Sequence, residues 1–189
     1  MLNFDVKIRA PQPLRSDYGI GAVGAGFIMR DVQLVAYRDA GYRVAGITSN
    51  RPERAREVAE LRGISRVYET LDEMLEDPGV EILDIAVPPD KQRGIIEKAV
   101  RQGHNLKGVL AQKPLAVNYR EALEIVEVCE GHGLPLAVNQ NMRYDQSIRA
   151  LKARLRWLWS QKPQAAATAE GGSPLARSRR AALTRRSTR

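Results

Sequence analysis

Between residues 18 and 140 short apolar runs alternate with longer amphipathic segments, and this alternation restricts the possible folds more than any single motif does. YGIGAV (18–23) reads as a strand, and a helix over 27–40 follows it and stops at Gly41. RVAGITS (43–49) is a second strand. Asn50 stands where it can cap a helix with Pro52 and Glu53 in its first turn and Gly63 beyond its end. RVYE (66–69) is a short strand, and Thr70 with Glu73 has the spacing of a capping box opening the helix LDEMLED. VEILDIAV (80–87) is an apolar strand with Asp84 as its only charge beyond Glu81 at its start. Pro88 and Pro89 end it, and a helix over 91–102 precedes Gly103. LKGVLA (106–111), a helix capped at Asn118–Glu121 and reaching Glu130, and a sixth strand, LPLAVNQ (134–140), complete the pattern. Strands joined by helices of this length require right-handed crossovers, which give a parallel sheet covered on both faces. The predicted architecture is a doubly wound α/β domain over 17–155, preceded by an extension at 1–16.

The 189 residues hold one such domain with chain left over. That remainder is WLWSQKPQAAATAEGGSPLARSRRAALTRRSTR (157–189), rich in Ala, Arg, Ser and Thr and without aliphatic periodicity. It offers too little apolar surface to offset chain entropy, so 156–189 is assigned to an unstructured basic tail, with disorder expected beyond about Ser160. The abrupt change of composition suggests an out-of-frame or prematurely ended version of a longer gene. The net charge of +8 is concentrated there: from Leu151 onward ten Lys/Arg face Glu170 alone, whereas residues 1–150 carry 20 basic and 21 acidic groups. Overall basicity is therefore no argument for a nucleic-acid partner, and residues 160–189 lack the interleaved aromatics that would make one. No apolar run is long enough to span a bilayer, and the first residues lack the apolar core of a secretory signal. A single cysteine, Cys129, provides neither an internal disulfide nor a metal cluster. The expected setting is cytoplasmic, without a membrane, a metal or a specific nucleic-acid partner.

The stretch AVGAGFIMRD (22–31) carries the first chemical signal. A nucleotide-binding strand must turn sharply into a helix whose free N–H groups face a pyrophosphate, and glycine is needed where the backbone approaches the phosphate. Gly19, Gly21 and Gly24 match GxGxxG literally, but two of them then interrupt the strand. The preferred register uses Gly24 and Gly26, with Met29 at the helix-packing position and Asp31 in the first helical turn. The acid that would hold a ribose 2′-hydroxyl at the end of the second strand is missing; Ser49, Asn50 and Arg51 stand there. A hydroxyl followed by a guanidinium suits a 2′-phosphate, which favours NADP(H) over NAD(H). Equally, Asn50 can cap the helix while Arg51 points to solvent.

VEILDIAVPPD, GVLAQKPLAVNYREALEIVE and LPLAVNQNMRYDQSIRALK, in that order, resemble the Gfo/Idh/MocA oxidoreductases, the group of glucose–fructose oxidoreductase and inositol dehydrogenase. The resemblance covers about residues 17–153. It implies an NAD(P)-binding Rossmann domain, a further substrate domain that also forms the oligomer interface, and hydride transfer to or from a sugar, polyol or similar hydroxylated small molecule. By position, Gly24, Gly26, Phe27 and Ile28 would line the pyrophosphate turn, and Ala86, Val87, Pro88 and Pro89 the loop beside the ribose and nicotinamide. The family's Glu-Lys-Pro signature is present as Gln112-Lys113-Pro114, which makes Lys113 the implied catalytic residue. A lysine partly desolvated at a strand end can hold a substrate hydroxyl and help move its proton. Gln112 in place of Glu removes a charge that would anchor Lys113, a departure that fits either a subfamily variation or a loss of function. Arg143 and Tyr144 follow the sixth strand at the same sheet edge, where Arg143 either meets a substrate or starts a helix. The second domain's acid and histidine have no counterpart after Arg154, so the enzyme implied by the family is incomplete in this chain; a nucleotide-binding module without turnover is the alternative.

Overall fold

The computed structural model describes residues 15–160. They divide into two units, 15–144 and 145–160, each taken by itself. In the first, the elements run β1 (Ile20–Val23), a π-helical stretch (Ile28–Gln33) continuing into α1 (Leu34–Asp39), β2 (Val44–Thr48), α2 (Pro52–Arg62), α3 (Leu71–Glu76), β3 (Ile82–Ile85), α4 (Pro89–Gln102), β4 (Gly108–Gln112), α5 (Tyr119–Gly131), β5 (Leu136–Asn139) and a 3-10 turn (Asn141–Tyr144).

Five parallel strands form one sheet in the order β2-β1-β3-β4-β5. The expected strand at 66–69 is reduced to a single bridge, Ile47 to Val67, so the sheet has five strands rather than six. At this bridge Ile47 N donates to Arg66 O at 3.1 Å and Tyr68 N to Ile47 O at 2.9 Å; the Tyr68 ring packs over Gly46, where a Cβ would stand 2.3 Å from Cε2, and its hydroxyl donates to Asp77 Oδ2 at 2.6 Å.

Side chains alternate across the sheet and so build two cores. Val23, Leu83, Ile85, Val109 and Ala111 face the layer that includes Met74, Leu75, Ile96 and Ile125. Ala22 and Ile47 face the opposite layer, with Met29, Leu34, Ala55 and Val58. Met29 is fully buried there, the packing role expected of it. Local signals fix several helix ends. Thr70 Oγ1 accepts from Glu73 N at 3.2 Å and Asn118 Oδ1 from Glu121 N at 2.9 Å, and Gly63 closes α2 in the left-handed region. Asn50 does not cap α2. The N-cap is Arg51, without a side-chain bond; Ser49 Oγ instead accepts from Arg51 N at 3.2 Å, making a local turn that leaves Asn50 exposed.

In the second unit, α6 (Gln146–Ser160) starts at Asp145, whose Oδ1 accepts from Ser147 N at 2.9 Å and Ile148 N at 3.1 Å. The helix continues through Arg156–Ser160, five residues assigned above to the unstructured tail. Helix-compatible spacing of Ile148, Leu151, Leu155 and Leu158 on one stripe accounts for the longer element. The rest of the tail and the extension up to residue 14 lie outside the described residues.

Candidate functional site

Because all five strands are parallel, their C-terminal ends share one edge. The register places Val23 beside Thr48 and Ile85, Ile85 beside Ala111, and Gln112 beside Asn139. The segments that follow these residues hold every candidate site residue named from the sequence. The chain leaves β1 for β2 on one side and reaches β3 on the other, so the strand order reverses between β1 and β3, the place where open α/β sheets bind ligands.

A cleft of about 590 Å³ opens there, lined by the end of β1, residues 48–51, residues 69–71, the loop after β3 and the first turns of α4. Of the expected residues, Gly24, Ser49, Asn50, Arg51, Val87 and Pro88 line it. Gly24 has φ +107°, and its N–H donates to Thr48 O at 2.8 Å. A Cβ on Gly24 would lie 2.6 Å from Ala86 O and 3.1 Å from Val87 Cγ1, so only glycine fits between the β1 and β3 loops. A Cβ on Gly26 would project into open space, leaving a bare backbone at the start of the helical turn. The turn's first bond runs from Arg30 N to Gly26 O at 2.8 Å, so the N–H groups of Phe27, Ile28 and Met29 have no intrahelical acceptor. Phe27 is two-thirds exposed and Ile28 more than a third. Asp31 does fall in the first turn, where Arg30 and Arg62 pair with it at 2.7 and 2.9 Å and hold its carboxyl below the usual carboxylate range. Its charge is thus compensated beside a turn that would receive an anion.

At the end of β2 no acid faces the cleft; Arg51 is exposed there and no ion pair holds it among the described residues. Glu69, across the cleft, is paired with Arg56 at 2.5 Å, and Lys91 with Asp90 at 3.1 Å. Glu69, Thr70, Leu71, Lys91, Gly94 and Ile95 were missed from the sequence. For Thr70 the capping role was legible, and the cleft role comes only from the tertiary placement of α3.

Ala86 and Pro89 support the cleft without lining it. Ala86 N donates to Val23 O at 2.9 Å, and Pro89 occupies the first position of α4. Gln112 and Lys113 also stand outside the lining, at the end of β4. Gln112 Oε1 accepts from Lys113 N at 2.9 Å, and the Lys113–Pro114 peptide is cis. Lys113 is exposed rather than partly desolvated. Arg143 and Tyr144 are exposed on the 3-10 turn, with Arg143 N donating to Gln140 O at 2.9 Å. Beneath the site Asp84 is fully buried on the α1 face of β3 and accepts from Gln33 Nε2 at 2.9 Å and Tyr37 Oη at 2.7 Å. Burial pushes its carboxyl up to about 7 against the opposing pull of those two donors. Among the described residues no cluster of His, Cys, Asp and Glu is placed to hold a metal ion, and no helix is long and apolar enough to cross a membrane.

Residues 18–140 match the Gfo/Idh/MocA oxidoreductase family, NAD-binding Rossmann fold. The chain belongs to this family. It is 32% identical over 135 residues to a D-apiose dehydrogenase of Paraburkholderia graminis, covering 71% of this chain and 35% of that protein. Its fold is similar to that of an oxidoreductase from Agrobacterium radiobacter solved with NAD+, L-tartaric acid and magnesium: TM-score 0.68, 30% identity, 75% of this chain and 40% of that one. A 3-ketoreductase from Actinomadura kijaniata, solved with TDP-benzene and NADP, superposes with TM-score 0.66 at 27% identity, over 75% of this chain and 44% of that one. The chain spans 35% to 40% of the length of the first relatives it matches. Neighbours in complex with NAD+ and with NADP both occur in the family, so its cofactor class is NAD(P).

Proposed function

We propose that this chain is the nucleotide-binding part of an NAD(P)-dependent oxidoreductase acting on a sugar, polyol or similar hydroxylated small molecule, and that it prefers NADP(H). The observation that carries the preference is the cleft wall at the end of β2, where Ser49, Asn50 and Arg51 stand and no carboxylate does. A 2′-phosphate there would gain a charge-assisted bond from Arg51, while a ribose 2′-hydroxyl would find no acid to accept from it. The bare backbone at Gly24 and Gly26 and the free N–H groups of the helical turn suit the pyrophosphate. When bound, the nicotinamide supplies hydride exchange with a substrate carbon. Lys113 would hold the substrate hydroxyl at its oxygen and take up or return that proton, and Arg143 and Tyr144 would orient the substrate from the neighbouring loop. Homo-oligomerisation, common in the family, belongs to the same reading.

Titration of the full chain with NADPH and NADH, followed by fluorescence, tests the preference, with Arg51→Ala as control. A charge-assisted hydrogen bond is worth about 1.5–3 kcal/mol, so Arg51→Ala should weaken NADPH binding about ten- to hundredfold and leave NADH nearly unchanged. Equal affinity of the wild type for the two nucleotides overturns the preference.

The exposure of Lys113 favours a second reading, a nucleotide-binding module without turnover. A dehydrogenase screen over sugars and polyols decides between them: nucleotide binding with no oxidation or reduction selects the second.

A further inference from the structure

Helix α4 meets the cleft and the Lys113 loop with neighbouring residues. Lys91, Gly94 and Ile95 line the cleft. Gln92, between them in sequence, is fully buried and does not line the cleft. Its Nε2 donates to Gln112 O at 3.0 Å and to Pro114 O at 2.9 Å, the carbonyls on either side of Lys113. A primary amide has two N–H donors, and both are used. β4 ends at Gln112, so the Gln92 amide supplies donors where the strand ladder stops. Its Oε1 meets no donor among the described residues, so an apolar side chain of the same size would leave one orphan fewer on its own account. The chemistry therefore points to the two donors as the purpose of the residue. The Lys113 side chain is exposed, and no ion pair holds it among the described residues; its backbone is what the fold fixes.

We infer that Gln92 is a positioning residue for Lys113, locking the Lys113 peptide to the helix that borders the cleft. This rests on the reading of the cleft as the nucleotide site and of Lys113 as the residue beside the nicotinamide. A leucine or methionine would fill the space and leave both carbonyls unpaired. A glutamate would set oxygen against oxygen. Only a neutral side chain with two donors on one atom satisfies both carbonyls at once.

The test compares the full-length wild type with Gln92→Met, which keeps length and volume and removes both donors. NADPH affinity is read by fluorescence, and the protection of Lys113 by saturating NADPH by amine labelling and mass spectrometry. The expected result is at least fivefold protection in the wild type and less than twofold in Gln92→Met, with NADPH affinity within about threefold. Undiminished protection in Gln92→Met overturns the inference, and so does a more than tenfold loss of affinity, which would place the action of Gln92 on the cleft. Should Gln92→Met not fold, Gln92→His, which keeps one N–H, serves in its place: protection below fivefold supports the assignment and full protection overturns it. If NADPH does not bind the wild type, the nucleotide reading fails. The clamp is then judged on hydrogen exchange of the Lys113 amide without nucleotide. Exchange at least tenfold faster in Gln92→Met, with β1 unchanged, sustains it, and unaltered exchange overturns it.

Discussion

Replacing Asp84 should remove a pH dependence that this one residue imposes on the whole domain. Asp84 lies in the middle of β3, opposite Ala22 of β1 and Leu110 of β4, and its partners Gln33 and Tyr37 are neutral donors. Among the described residues no cation compensates it, and burial raises its carboxyl from 3.8 to about 7. In the unfolded chain the group ionises near its ordinary value. Between the two values the native state binds a proton that the unfolded state has released, so stability falls as pH rises from about 4 to about 7 and is flat above. At about 1.4 kcal/mol for each pH unit the full interval amounts to about 4 kcal/mol, of which about 3 kcal/mol falls between pH 5 and pH 8. Carboxylates held low, such as Asp31 beside Arg30 and Asp77 beside Tyr68, have the opposite sign, and their contributions are lost only as pH falls below the ordinary carboxylate range. Asp84→Asn keeps the shape and has no charge to desolvate. Its carboxamide N–H can meet Gln33 Oε1, which has no partner among the described residues of the wild type, once the Gln33 amide turns over. Urea unfolding of the full chain at pH 5, 6, 7 and 8 should show the variant gaining about 3 kcal/mol on the wild type across the range, with the gain complete by pH 7 to 8. Parallel stability curves for the two proteins would refute this origin of the pH dependence, as would a wild type that gains stability from pH 5 to pH 8.

Other expectations rest on single contacts. Gly24→Ala forces a Cβ to within 2.6 Å of Ala86 O at φ +107°, so it should cost about 1–3 kcal/mol in urea unfolding and abolish nucleotide binding by fluorescence. Gly46→Ala drives a Cβ into the Tyr68 ring at 2.3 Å; overpacking of about 1–3 kcal/mol should appear in thermal unfolding without any change in the NADPH:NADH ratio. Thr70→Ala removes the cap of α3, a loss of about 1 kcal/mol in the same assay, and because Thr70 also lines the cleft it should weaken nucleotide affinity measurably.

Local chemistry decided the part of the fold that was legible in the sequence. Caps at Thr70 and Asn118, the C-terminal glycine of α2 and the apolar runs of β1–β5 placed each element within a few residues, and parallel topology then carried five loops to one edge. Pattern could not show the failure of residues 66–69 to extend as a strand. That is set by long-range pairing, here the one bridge between Ile47 and Val67, 20 residues apart in the chain. The π-helical start of the first helix was hidden for a similar reason, since a spacing of 3.6 residues is all that periodicity can report. The helix-borne side of the cleft, Lys91 to Ile95, was invisible because strand ends mark only the loops directly after them. Which face of α4 turns toward those loops is set by tertiary packing.

The two glutamines around Lys113 show how such gaps alter a functional reading. From the sequence, Gln112 is a lost charge, a departure that leaves Lys113 without its anchor. In the fold, the Gln112 side chain accepts from the Lys113 amide while its backbone carbonyl accepts from Gln92. A carboxylate at 112 could make the first of these bonds equally well, so exchanging it for an amide leaves the peptide geometry supported. The exchange alters only the field at the lysine ammonium. If the geometry of Lys113 is set by Gln92 and its charge environment by residue 112, the two can be separated experimentally. Gln112→Glu should slow the labelling of Lys113 by a negatively charged amine reagent in a salt-dependent way and leave its protection by NADPH intact, whereas Gln92→Met should do the reverse. A variant that moved both readouts together would show that position and charge at this lysine are not independent.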